Sequence, residues 1–162
     1  MKTPKEVRER FPYMWRGDDL GIFVAKGWMQ IFAQVCTDID ALLGEDKRGF
    51  RWLQIKEKFG APRFYCRMDP VKPPPPPEEE EWSDDELPWD QWAGETEAQR
   101  NQRLAIFHLV GEVQLAAIRI CIVCGNPCGP GRSGILLSLC SEHREQYKAK
   151  SMESPWFKDE EE

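Results

Sequence analysis

The chain has two histidines and three tyrosines in 162 residues, and no surplus of positive charge. No apolar stretch approaches the ~20 residues that cross a bilayer, which excludes a membrane-spanning helix. The amino-terminal run MKTPKEVRERF is charged throughout and lacks the apolar core of a secretory signal. A cytoplasmic location is therefore expected, where thiols stay reduced. Its six cysteines then read as metal ligands and buried spares, not disulfides. HExxH, a Gly-rich phosphate loop and a nucleophile elbow are all missing, so neither an enzyme nor a small-molecule substrate is expected. The net charge of −6 argues against binding nucleic acid through phosphate neutralisation.

Against these absences stands one strong pattern, CIVCGNPCGPGRSGILLSLCSEH. It places Cys121, Cys124, Cys140 and His143 in two close pairs, C-x2-C and C-x2-H. Three thiolates and an imidazole suit one tetrahedral Zn2+, and four protein ligands leave no open position, so the zinc is structural. Gly125 after the second cysteine lets backbone N–H groups turn toward the sulfurs. Ile135 to Leu139 reads as a short apolar strand leading to Cys140 at the start of a helix. Knuckle, returning strand and helix N-terminus give the order of a treble-clef finger; a zinc ribbon is the alternative. Cys128 is a rival ligand, but it breaks the pair symmetry and is expected to be free. The treble clef also underlies HNH nucleases, which need further histidines for base and metal. Here His143 is committed to zinc, and His108 stands alone on an apolar helix as a core or boundary residue.

The rest of the chain divides by composition. Trp28, Ile31, Phe32, Val35, Ile39, Leu42 and Leu43 form one helical stripe, ended by Gly44. Ahead of it, residues 1–19 carry Phe11, Tyr13 and Trp15 on a short helix or arm that packs on the body. Residues 50–58 and 62–68 read as two strands joined at Phe59-Gly60-Ala61, with Lys56, Lys58, Arg63 and Arg67 giving a basic side. A second long helix spans 95–120, capped by Thr96, with Glu97 favouring its N-terminal dipole. It is apolar on so many sides that it is expected to be the buried spine. The expected fold class is α+β: two main helices packed with a β-hairpin, plus a C-terminal treble-clef-like zinc finger. The expected division is a body part at 1–68, an insert or linker at 69–94, a helix and finger at 95–150, and an acidic tail at 151–162.

Residues 69–97 carry one lysine and 11 acidic residues, while residues 1–68 carry 13 basic and 9 acidic ones. The acidity therefore sits in one segment. It contains Pro73 to Pro77, four glutamates, and then Trp82, Asp84, Asp85, Trp89 and Trp92. Five prolines favour polyproline II geometry. Such a composition cannot bury enough apolar surface to order itself. Acidic residues interleaved with tryptophan suit docking on a basic, apolar groove. The other reading lays Trp89 and Trp92 back on the protein's own core.

LQIKEKFGAPRFY (53–65), followed by CIVCGNPCG and LC-x2-H, resembles a group of small uncharacterised proteins of bacteriophages and prophages. The resemblance spans 28–68 and 98–147 and carries the zinc ligands onto Cys121, Cys124, Cys140 and His143. Cys128, Ala61-Pro62 and the acidic insert depart from the group's pattern. It implies a phage source, the cytoplasm of a bacterial host as the location, and no particular activity. The expected function is therefore a non-enzymatic phage-encoded zinc protein. It would bind and modulate, most simply inhibit, a host protein such as a defence or transcription component, through Trp82, Asp84, Asp85, Trp89 and Trp92. The alternatives are a nucleic-acid-binding zinc finger and a structural or accessory protein of the phage particle.

Overall fold

A computed structural model describes residues 1–16, 23–69, 94–129 and 136–157. Among them are four α-helices and one two-stranded antiparallel hairpin, an α+β arrangement. The helices are α1 (Pro4–Arg10), α2 (Met29–Leu43), α3 (Glu97–Ala117) and α4 (Ser141–Lys148). The strands are β1 (Arg51–Lys58) and β2 (Ala61–Arg67). None of the described helices is long and apolar enough to cross a membrane.

α2 is the centre of the core. Its predicted stripe buries Phe32, Val35, Ile39 and Leu43, joined by Met29, Ala33 and Cys36, and Gly44 ends the helix at φ 63°. Leu42 departs from the prediction and lies exposed on the far side. Phe32 contacts Trp15, Trp52 and Phe64 at ring-centroid distances of 6.2, 5.5 and 5.2 Å. These tilted and edge-on contacts tie the amino-terminal arm, both strands and α2 into one cluster. Phe11 and Met14 are buried beside it, as the aromatic-bearing arm requires.

The hairpin turns on Phe59 and Gly60 alone. Both have positive φ, 56° and 78°, the signature of the two-residue turn that matches strand twist. A Cβ on Gly60 would overlap the Leu136 carbonyl oxygen, so glycine also lets the segment at Leu136 press on the turn. Lys56 pairs with Arg63 across the ladder, which keeps these two cations on one face.

α3 is not the buried spine. Its capping box is complete, with Thr96 and Gln99 each accepting the other's backbone N–H. Yet only Ile106, Val110 and Ala117 are buried, with Leu109 and Val113 half-buried. α3 packs on α2 and β2 with one face only. Leu104, Phe107 and Leu115 therefore face outward, and so does His108, which lies 3.9 Å from Glu112.

The loop Lys47–Gly49 joins the two halves of the chain. Arg48 is buried, and its guanidinium donates to the Gln99 carbonyl (2.7 Å) and to Glu95 (2.9 Å). Arg103 grips the same Glu95 carboxylate through Nε and NH2. Lys47, Arg48 and Gly49 all take positive φ. For two non-glycine residues that is a strained path, held by the ion network around Arg48. The Arg48 carbonyl also accepts the Asp69 N–H, and Arg51 pairs with the Asp69 carboxylate at 2.8 Å. Nearby, Asp40 accepts from the Tyr13 hydroxyl and the Lys47 ammonium at 2.8 and 2.7 Å. The 151–162 segment, expected as an acidic tail, starts against the body: Met152, Trp156 and Phe157 pack on the core, and the Pro155 carbonyl accepts the Lys26 N–H.

Candidate metal centre

Cys121 follows the end of α3, and its backbone turns at once. Gly125 N–H donates to the Cys121 carbonyl at 2.9 Å, and Gly125 sits at φ 77°, the left-handed conformation a knuckle needs. Ile120 and Pro127 form an isolated bridge that closes the turn. The second pair arrives as predicted: Cys140 is the N-cap of α4, and His143 lies in that helix's first turn. The chain between them differs from expectation. Leu136 to Leu139 is irregular, not a strand, and is held by a single backbone bond from Ile122 N–H to the Ser138 carbonyl.

The structure brings Cys121, Cys124, Cys140 and His143 together, with all four donor atoms within 4.8 Å of one another. Cys124 and Cys140 sulfurs are 3.9 Å apart. His143 Nδ1 lies 3.6 Å from the Cys121 sulfur and 3.1 Å from that of Cys140. A tetrahedral Zn2+ with bonds of about 2.3 Å to sulfur and about 2.0 Å to nitrogen needs donor separations of roughly 3.5–3.8 Å. Three thiols and one imidazole gathered at spacings close to these are compatible with a metal ion of that kind, which His143 would ligate through Nδ1. Burial of the Cys121 sulfur opposes its ionisation. The backbone N–H groups of Cys140, Cys124 and Val123 outweigh this and hold its pKa below the ordinary thiol value. Cys128 is outside the four-donor set, as expected, and burial with the neighbouring Cys121 and Cys140 pushes its pKa up to about 11. Cys36 and Cys66 are likewise pushed up to about 12 by burial, so they remain inert thiols of the core.

The seat of the centre contains residues that carry no motif. Gly27 lies immediately ahead of α2, and its N–H donates to the Ile122 carbonyl at 2.9 Å. A Cβ at Gly27 would overlap the Cys121 carbonyl oxygen and crowd the Gly125 nitrogen and Ile122 carbon. The Trp28 indole N–H donates to the Ile120 carbonyl. Ser138 is buried, with its hydroxyl 2.8 Å from the Ile118 carbonyl and 3.2 Å from that of Gly60. The knuckle is therefore clamped between α2 and the hairpin turn. Gly27→Ala should cost about 1–3 kcal/mol through overpacking and loosen zinc retention without touching a ligand. A thermal melt paired with a chelator-competition titration would show both effects; normal values in both would remove the clamp.

Trp82, Asp84, Asp85, Trp89 and Trp92 lie outside the described residues. Of the acidic segment, Asp69 and residues 94–97 are described, and Asp69 and Glu95 both bond to Arg48. No family model, curated protein or solved structure matches the chain.

Proposed function

We propose that this is a phage-encoded, non-enzymatic protein of the host cytoplasm. Its zinc-stapled body displays an acidic, tryptophan-bearing segment to a host protein and inhibits that protein. In this reading the four-donor centre is a treble-clef-like finger, with the knuckle at 121–125, the irregular return at 136–139 and α4 in their usual order. Four protein donors leave zinc no position for substrate or water, so the ion's part is to hold the fold.

The observation that carries the proposal is the double hold on Arg48. Asp69 and Glu95, which flank residues 70–93 in the sequence, both bond to Arg48, one through its backbone carbonyl and one through its guanidinium. The described residues on both sides thus form a shared core, and we assign the partner-binding role to the acidic, tryptophan-bearing sequence between them. Carboxylates with interleaved tryptophans are the chemistry of a ligand for a basic, aromatic-accepting groove of the kind that binds nucleic acid.

Affinity capture from host lysate should retain one specific protein. That capture should be lost when Trp82, Trp89 and Trp92 are changed to alanine, and equally when 70–93 is replaced by a short Gly-Ser stretch. Both variants should melt within about 3 °C of the parent, a shift of about 1 kcal/mol at this chain length. A partner retained by both variants would place the interface elsewhere.

A second proposal rests on the Lys56–Arg63 cross-strand pair beside exposed Tyr65, a small basic and aromatic patch suited to a nucleic-acid strand. Gel shifts at low salt would reveal it, because phosphate contacts are strongest there.

A further inference from the structure

The outward face of α3 is an apolar stripe with no partner among the described residues. Leu104 is 48% exposed, Phe107 36% and Leu115 62%. Gly111 and the half-buried Ile118 continue the same line. At 100° per residue these five positions fall within one narrow face, well away from the core-facing line of Ile106, Val110 and Ala117.

The stripe is symmetric about Gly111. Leu104 and Ile118 stand seven residues to either side, and Phe107 and Leu115 stand four to either side. When two helices pack antiparallel across a two-fold axis, each position meets the one equally far on the other side of that axis. An axis at Gly111 sets Leu104 against Ile118 of a second copy, and Phe107 against its Leu115. The 3-4-4-3 spacing is that of helices packed side by side at a shallow angle.

Gly111 itself supports this arrangement. A glycine inside a helix is unfavourable relative to alanine, and no described residue lies within 4 Å of where its Cβ would be. Among the described residues nothing in the packing calls for glycine there, whereas a helix crossing does: the backbones can approach.

We infer that α3 pairs antiparallel with α3 of a second copy, crossing at Gly111, and that the protein is a weak homodimer. The 21-residue helix is about 31 Å long and offers roughly 300 Å² in plan at a ~10 Å width. That is well below the ~800 Å² per partner of a standard stable interface. An interface of that size gives a weak, concentration-dependent dimer. The inference is independent of the host-partner proposal.

Sedimentation velocity on the full zinc-loaded chain, from about 1 µM to about 500 µM, should show a shift from monomer to dimer. Leu115→Glu should hold the protein monomeric throughout. Gly111→Leu should do the same while melting at or above the parental temperature, because the side chain fills open space on the monomer. A parent that stays monomeric at every concentration overturns the inference, as does a dimer indifferent to both changes. A monomeric parent that dimerises only after 70–93 is replaced also overturns it, and would assign the stripe's cover to the chain's own segment.

Discussion

Removing zinc should unfold the carboxy-terminal third of this protein and lower its melting temperature by about 10 °C or more. Structural zinc sites in small modules contribute apparent free energies on the order of 10 kcal/mol at neutral pH, because the site does not exist in the unfolded chain. A net loss of about 4–5 kcal/mol corresponds to roughly 10–20 °C at this length. Three links make the loss spread beyond the finger. Gly27 and Trp28 bond the carbonyls of Ile122 and Ile120, and Ser138 bonds the hairpin turn. Metal analysis should find about one zinc per chain. Cys121→Ser and Cys140→Ser should each release it, and Cys128→Ser should retain it. Affinity should fall with acid, since protons compete for the thiolates and for His143 Nδ1. Thermal melts with and without chelator test the whole set. A folded, zinc-free sample indifferent to chelator would remove the metal centre altogether.

Glu95→Ala should be the most damaging change away from the metal. The Glu95 side chain is 3% exposed and that of Arg48 is 4%. Its loss would leave the Arg48 guanidinium buried, with the Gln99 carbonyl as a neutral partner, and would take the bidentate acceptor from Arg103. Breaking one side of a buried ion pair costs about 3–5 kcal/mol, or roughly 6–20 °C here. The hydrogen bonds from Arg103 and then Arg48 hold the Glu95 pKa below the ordinary carboxylate value, against burial. A depressed folded-state pKa contributes stability above the unfolded value of about 4.3 and loses it as pH falls through the folded one. The parent should therefore lose this contribution below about pH 4, and Glu95→Gln should lack that part of the acid slope. Denaturant melts between about pH 3 and pH 7 measure it. Added salt should change the difference little, because the pair is shielded from solvent. Equal acid slopes in parent and variant would show that the clasp carries no charge-dependent stability.

The α2 stripe, the hairpin and its turn, the Thr96 cap and the four metal donors were all legible in the chain itself. Each rests on short-range regularity. A 3.6-residue period marks a helix, a glycine marks a positive φ, and two C-x2 pairs mark a tetrahedral ion. α3 was misjudged for a related reason. Apolar residues around most of a helix show what could be buried, but the area available to bury them depends on how many layers the fold has. Among the described residues α2 and β2 are the elements packed on α3, and Leu104, Phe107 and Leu115 remain outside. The irregular path of Leu136–Leu139 was equally hidden, since an apolar run reads as strand whether or not a neighbouring strand exists to pair with it.

Local chemistry in the sequence thus determined the secondary elements, the donor set for zinc and the acidic character of residues 69–97. Tertiary structure decided what those elements lean on. It gave Gly27 its place under the knuckle, buried Arg48 between the two edges of the acidic segment, and turned a symmetric apolar stripe outward. Such pairings join residues dozens of positions apart. No periodicity encodes them, because they follow from which surfaces remain once the core is filled.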